Sequence, residues 1–544
     1  MLGRRWMLCC VLAAAGCSEP QVRPLPPPPL TIPERTQYMA TSSHADVLAF
    51  LDALAAAGDP RVVRSSFGTT PEGRDQPLMI VADPPLHSAA EARKSGRIRV
   101  FVMANIHAGE VEGKEACLEL LRDLVYNDGR PPYPLEKVVF LCAPIYNADG
   151  NERVGPKNRP LQNGPRAMGV RETAKGLDLN RDYLKLENLE TRSLVRLLNE
   201  WDPHVVVDLH TTNGSAHGYE LTYAPALTPS AHPLLLGASE RDWLPTLRKR
   251  MRERHGFETF DYGNFIPADQ SDWFTDDPQR SVRGWETFDH RPRFGNNYVG
   301  LRNRIAILSE AYSYADFQTR IAATKAFVLE ILRLAAERGE QTLRLLQRLD
   351  NDTAVLAGNG QLVQATSVHL VDRGGPEELL LRGFETVQDP ATGAECRVAS
   401  GPRTAIQVPC FVKYAPAGTR TAPRAYLLPP DQAGIIDLVR AHGIRVDVLE
   451  HEQACPVEVH RVRAARAAER AFQGHRGRSV DWELRTEERR FPVGSFHVPM
   501  NQPLARLVFH VLDPQADDGL VHWNFFDAVL DRGTGAEVPV YGLR

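Results

Sequence analysis

Three short stretches of the chain put metal-binding or proton-moving side chains at the ends of apolar runs. The first is Asn105-Ile106-His107-Ala108-Gly109-Glu110, directly after the run Ile98–Ala104. A His-x-x-Glu spacing places an imidazole and a carboxylate on one side of a turn, within reach of one metal ion. The spacing alone is weakly specific, since His217/Glu220 and His255/Glu258 repeat it. Only His107/Glu110 follows an apolar strand and opens a helix, at the carboxyl edge where α/β sheets place ligands. The second stretch, Asp208-Leu209-His210-Thr211, ends another apolar run. Alone, His210 reads as a hydrogen-bonded strand-end histidine, with Asp208 a packing or supporting carboxylate. Beside His107 and Glu110 it supplies a third ligand. Two His and one Glu, with the fourth position left to water, suit a catalytic zinc, one per chain, which lowers the pKa of its water to about 7. The third is Ser309-Glu310-Ala311-Tyr312. A carboxylate leaving an apolar strand needs a partner. Glu310 is either a general base beside the metal or an ion-pair partner of Arg302 or Arg304.

A fourth stretch, Gly176-Leu177-Asp178-Leu179-Asn180-Arg181-Asp182-Tyr183, offers an amide beside a rigid fork of donors, suited to gripping a carboxylate. A solvated turn, with Arg181 paired to Asp178 or Asp182, accounts for it equally well. Upstream lie the turn signal Asn147-Ala148-Asp149-Gly150 and Arg153, Arg159 and Arg171, any one of which can face a developing oxyanion.

The elements that must carry these residues alternate. Helix-like periodicity covers Ala45–Ala57, Glu112–Tyr126 and Phe317–Leu349, and near-continuous apolar strands cover Ile98–Ala104, Lys137–Tyr146, His204–Leu209 and Arg304–Ser309. That order predicts an α/β unit over 38–350 with a mixed, largely parallel sheet flanked by helices. From 351 to 544 short alternating strands with Gly/Pro turns predict a smaller β-rich accessory domain, interrupted by a helix over Pro430–His442. Trp482 and Trp523 read as core rather than as a sugar platform. With 64 Lys+Arg against 68 Asp+Glu in 544 residues the net charge is −4, so no general field attracts nucleic acid or anionic lipid. Hydrophobic residues make up 43%, which excludes a mainly disordered chain.

The N-terminus reads as an address. Arg4 and Arg5 precede an apolar run, Leu8–Gly16, too short to span a membrane. Leu12-Ala13-Ala14-Ala15-Gly16-Cys17 resembles a bacterial lipobox, although Ala14 stands where Leu is usual. Residues 1–17 are therefore read as a lipoprotein signal with Cys17 as the lipidated residue, and 18–37 as a proline-rich linker. Ser18 and Glu19 lack an inner-membrane retention Asp, which points to the outer membrane, facing the periplasm or the cell surface. Of the remaining cysteines, Cys117 and Cys142 read as core. Cys396 and Cys410 flank Gly401-Pro402 and are placed to close a hairpin disulfide, and Cys455 is left over.

Taken in order, HAGEVEG (His107 to Gly113), NADG, GLDLNRD, DLHTTNG and LSEAYSY resemble the zinc carboxypeptidases related to carboxypeptidase A, and Phe67 to Arg74 is similar to their first strand region. The resemblance covers about Tyr38 to Asp350. It implies His107, Glu110 and His210 as zinc ligands, Glu310 as the catalytic carboxylate, and Asn180 and Arg181 as the grip on a substrate's terminal carboxylate. It also implies Arg171 as the oxyanion arginine, with Arg159 the second choice, and Tyr298 as the family's mobile tyrosine. Asp182 stands where many members have Asn. The expected activity is an exported metallocarboxypeptidase acting on peptides or murein peptides. Two alternatives are a zinc amidase or deacylase acting on murein peptides or acyl amino acids, and a non-catalytic peptide-binding lipoprotein.

Overall fold

The structure is a computed structural model that describes residues 26–126, 135–269, 275 and 281–544. The proposed signal, with Cys17, lies outside the described residues. In chain order the strands are β1 (Val62–Thr69), β2 (Asp75–Val81), β3 (Ile98–Ala104), β4 (Val138–Ala143), β5 (Val205–Thr211), β6 (Leu221–Ala224), β7 (Thr259–Asp261), β8 (Asn264–Pro267), β9 (Val282–Glu286) and β10 (Ile305–Ala311). An eight-stranded sheet runs in the order β1-β2-β4-β3-β5-β10-β6-β7. Pairs β3/β4, β3/β5, β5/β10 and β6/β7 are parallel, whereas β1/β2, β2/β4 and β10/β6 are antiparallel. The sheet is mixed and largely parallel.

Strands β3, β4, β5 and β10 are buried along their whole length because both faces are covered. Val100, Val102, Val207 and Ile307 face helices His44–Ala56, Glu112–Tyr126 and Phe317–Gly358. The alternate residues Phe101, Met103 and Val206 pack with Leu194 and Leu198 of helix Leu189–Trp201 on the other face. The Glu112–Tyr126 helix has the bounds its periodicity predicts.

That second core continues into the chain's C-terminal part, across the expected boundary at 350/351. The Phe317–Gly358 helix runs through Asp350 without interruption. Beyond it lie β11 (Val363–Val371), β12 (Pro376–Gln388), β13 (Glu395–Phe411) and β14 (Lys413–Thr421). Strand β13 pairs in parallel with β9, setting Cys410 against Trp285, so one four-stranded sheet, β12-β13-β9-β8, joins both halves. Residues Ile436, Leu438, Val508 and Phe509 belong to the same core cluster as Phe101 and Leu194. The C-terminal part is β-rich, with a further six-stranded sheet, and the helix over Ala433–Ala441 is present. It is nevertheless fused to the α/β unit, because one core cluster is built from residues of both parts.

Two smaller expectations are corrected. The stretch 18–37 is not linker throughout. Ile32–Arg35 forms a helix turn capped by Thr31, and Glu34 pairs with Arg122 through both oxygens (2.6 and 2.8 Å). Cys396 and Cys410 do not close a hairpin. Gly401 takes φ 71°, yet β13 continues through it with only a register shift opposite Leu381 and Gly383, leaving the two free thiols near opposite ends of one strand. Cys117 and Cys142 are free and buried, and Trp523 is core. Among the described residues no helix is long and apolar enough to cross a membrane.

Candidate metal centre and catalytic cavity

After β3 the chain turns out of the sheet at Asn105, which takes the left-handed conformation at φ 65°. Its side-chain amide donates to the carbonyls of Ala108 (3.2 Å) and Glu110 (3.4 Å), which shapes the turn from within. At Gly109 a Cβ would lie 2.6 Å from Arg159 Cγ, so the close approach requires glycine. This turn aims His107 and Glu110 toward the end of β5. There the parallel register places Glu310 of β10 directly beside His210.

His107 Nδ1 is 3.1 Å from Glu110 Oε1, and His210 Nδ1 is 2.9 Å from Glu110 Oε2. One donor atom from each of the three lies within 4.8 Å of the others, and all three residues are buried. Two nitrogens and a carboxylate oxygen converging in a dry site fit zinc. The outer nitrogen of His107 is 3.0 Å from Asp178 Oδ1, a carboxylate that fixes the ring's tautomer and orientation. Asp208 Oδ2 sits 2.9 Å from His210 Nε2, off the line of a hydrogen bond.

Burial acts on every charge here. It tends to raise Glu110, but His107 and Arg159 outweigh it and hold that carboxyl well below the ordinary range. Asp178 is likewise held low against its burial by His107, Arg171 and Arg181. Glu310 goes the other way. Burial, with the Glu110 charge adding to it, pushes its pKa up to about 8 against the pull of His210. Its Oε2 has no hydrogen-bond partner. The alternative partners of Glu310 are engaged elsewhere: Arg304 holds Asp202 and Asp350, and Arg302 holds Asn199 and the His442 carbonyl.

These groups open onto one cavity of about 280 Å³. Arg171, Asn180 and Arg181 line it together with the metal-ligand candidates and Glu310. Arg171 Nε donates to Asp178 Oδ2 at 2.9 Å, and its Nη1 is 3.6 Å from Glu110 Oε1. Asn180 Oδ1 accepts from the Gly295 N–H at 2.9 Å, leaving its amide donors for a ligand. The Arg181 guanidinium lies 4.0 Å over the Phe294 ring. Asn147 does more than mark a turn, since its amide donates to the Arg171 and Glu172 carbonyls, both at 3.2 Å.

Two sequence candidates fall outside the cavity lining. Arg159 sits behind the site, with Nη1 3.0 Å from Glu110 Oε1 and Nη2 on the Thr211 and Thr212 carbonyls, so it braces Glu110 and does not line the cavity. Tyr298 is in the core, 0% exposed, its hydroxyl 3.0 Å from His442 Nδ1. Another tyrosine, Tyr262 just before β8, does line the cavity, and burial with the nearby Glu310 raises its pKa. Asn264, Ile266 and Glu286 of the β8/β9 hairpin complete that wall. Sequence reading missed all four, because such short strands carry almost no periodic signal. The repeated His-x-x-Glu pairs lie elsewhere: His217 packs on Tyr312, and His255 pairs with Glu330.

Residues 47–236 match the family model Peptidase_M14, zinc carboxypeptidase. That segment is similar to the zinc carboxypeptidases, and the likeness supports a zinc metallopeptidase. The chain is 26% identical over 483 residues to Carboxypeptidase 2 of Trichophyton equinum, which covers 87% of this chain and 81% of that one. A shorter match, 32% over 149 residues, links it to Carboxypeptidase D of Mus musculus, over 24% of this chain and 11% of that one. Among solved structures, a metallo-carboxypeptidase from Burkholderia cenocepacia overlaps 54% of this chain and 69% of its own at 17% identity, with a TM-score of 0.39.

Proposed function

We propose that this chain is a zinc carboxypeptidase that removes C-terminal residues from peptides that enter the cavity with a free carboxylate. The observation that carries the reading is the convergence of His107, Glu110, His210, Glu310, Arg171, Asn180 and Arg181 on one small cavity. His107, Glu110 and His210 would hold the ion; zinc bound there supplies Lewis acidity and a water of pKa about 7. Glu310, buried and unpartnered at Oε2, takes the water's proton and returns it to the leaving amine. Arg171 presents donors to the charge that develops on the scissile carbonyl oxygen. Asn180 and Arg181 grip the terminal carboxylate, with Phe294 shielding the guanidinium from water.

The test compares peptides with free and amidated C-termini, with and without a chelator. Hydrolysis of the free form is expected to exceed that of the amide by at least about 10²-fold in kcat/KM, because an amide leaves buried donors unpaired. Arg181→Met is expected to abolish most of that preference. Equal rates on both forms would instead favour an amidase or deacylase.

In the same reading the chain is exported and anchored through Cys17, supported by the basic, apolar and lipobox-like order of residues 1–17. Cys17→Ser is then expected to move the protein from the membrane fraction to the soluble fraction. Unchanged membrane association removes the anchor from the proposal.

A further inference from the structure

Among the described residues, a turn of the C-terminal part reaches the loop that carries Asp178. Phe472, Gln473, Gly474 and His475 form a tight hairpin turn, closed by paired backbone hydrogen bonds between Phe472 and His475 of 2.7 and 3.0 Å. Both central residues have positive φ, 53° at Gln473 and 79° at Gly474. Such a turn normally takes Asn or Asp before Gly. Gln in the left-handed region is strained, and strain held by its surroundings points to a task. From the tip of this turn, Gln473 Oε1 accepts the backbone N–H of Asp178 at 2.8 Å. The Asp178 carboxylate in turn holds His107 Nε2 (3.0 Å) and Arg171 Nε (2.9 Å).

The turn is itself fastened on both sides. His475 bridges Glu187 (2.8 Å) and Asn524 (3.0 Å), and Lys185 lies 4.1 Å over the Trp523 ring. A second clamp acts on the opposite loop. Arg293 donates to the fully buried Asp518 from its backbone N–H (2.9 Å) and from Nε (2.8 Å), next to the Phe294 that carries Arg181.

We propose that Gln473 is a positioning residue of the metal centre: through the Asp178 backbone it fixes the carboxylate that orients His107 and Arg171. Without it the Asp178 N–H loses its acceptor, and a poorly solvated donor left unpaired drives the loop to shift. The inference rests on His107 being a zinc ligand, as the proposed function has it.

The test uses the full-length, zinc-loaded protein. Gln473→Met removes the acceptor at nearly constant volume. Residues that touch a ligand directly typically change metal affinity 10–100-fold, so a residue one contact further out is expected to speed zinc release to a chelator by about 3–10-fold. The kcat/KM measured at limiting zinc should fall in step. Val508→Ala is the control, since it destabilises the shared core without touching the turn or Asp178. It is expected to lower Tm as much as Gln473→Met while leaving zinc release within about twofold of wild type. If the Met variant does not accumulate, Gln473→Asn withdraws the amide by one methylene and carries the same expectations. Wild-type zinc release from the Gln473 variant, or equal acceleration in both variants, overturns the proposal. A wild-type protein that binds no zinc overturns the underlying reading of the site instead.

Discussion

Glu310→Gln is expected to fold, retain about one zinc per chain and lose activity by about 10²–10⁴-fold in kcat, with KM little changed. Glutamine keeps the shape of the side chain but cannot accept a proton. Oε2 has no hydrogen-bond partner, Arg304 is held by Asp202 and Asp350, and Arg302 by Asn199 and the His442 carbonyl, so little stability depends on the charge. Metal analysis, a melting curve and steady-state kinetics on one preparation decide the matter. An active Glu310→Gln protein with a lowered Tm would overturn the general-base role and restore a purely structural one.

The second large effect concerns the metal itself. His107→Ala and His210→Ala are each expected to drop bound zinc below about a tenth of an equivalent, because two remaining ligands seldom hold the ion against buffer. Activity goes with it. The binding also stabilises the fold: at a free zinc concentration of 1,000 Kd the gain is about 4.1 kcal/mol. Wild-type protein should therefore show a Tm that rises when zinc is restored after chelation, and both variants should lose most of that rise. Full zinc occupancy in either variant would remove its histidine from the ligand set. Arg159→Met supplies a graded control, since it unbraces Glu110 without removing a ligand.

How much of this was legible in the sequence depended on the length and continuity of the signal. Strands β3, β5 and β10 are largely apolar, and the polar residues at the ends of β5 and β10 stand out against that run. His210 and Glu310 could be placed at strand ends for that reason. That the two are neighbours in register is a fact of sheet order, which no local pattern carries. Arg159 and Arg171 are both arginines in one loop, and only the fold separates the residue behind Glu110 from the one facing the cavity. Tyr298 illustrates the opposite error. It sits in a polar-looking stretch, NNYVGLRNR, yet Arg302 and His442 satisfy its hydroxyl inside the core. The helix Phe317–Gly358 runs past the expected boundary at Asp350. Gln473 was invisible: its acceptor role depends on a donor 295 positions away.

The pairing of β9 with β13 also bears on how the protein is made. A ribosome delivers the chain from the N-terminus at roughly 5–20 residues per second, and early segments tend to fold as they emerge. Every metal-ligand candidate has left the ribosome well before Phe411, and long before Gln473 and Asp518. The β8/β9 hairpin then lacks its neighbouring strand, Trp285 lacks the Cys410 strand that covers it, and the loops bearing Asp178 and Phe294 are unheld. The chain is thus expected to carry its ligand candidates before the loops around them are held, so competence for hydrolysis should depend on the C-terminal part having docked.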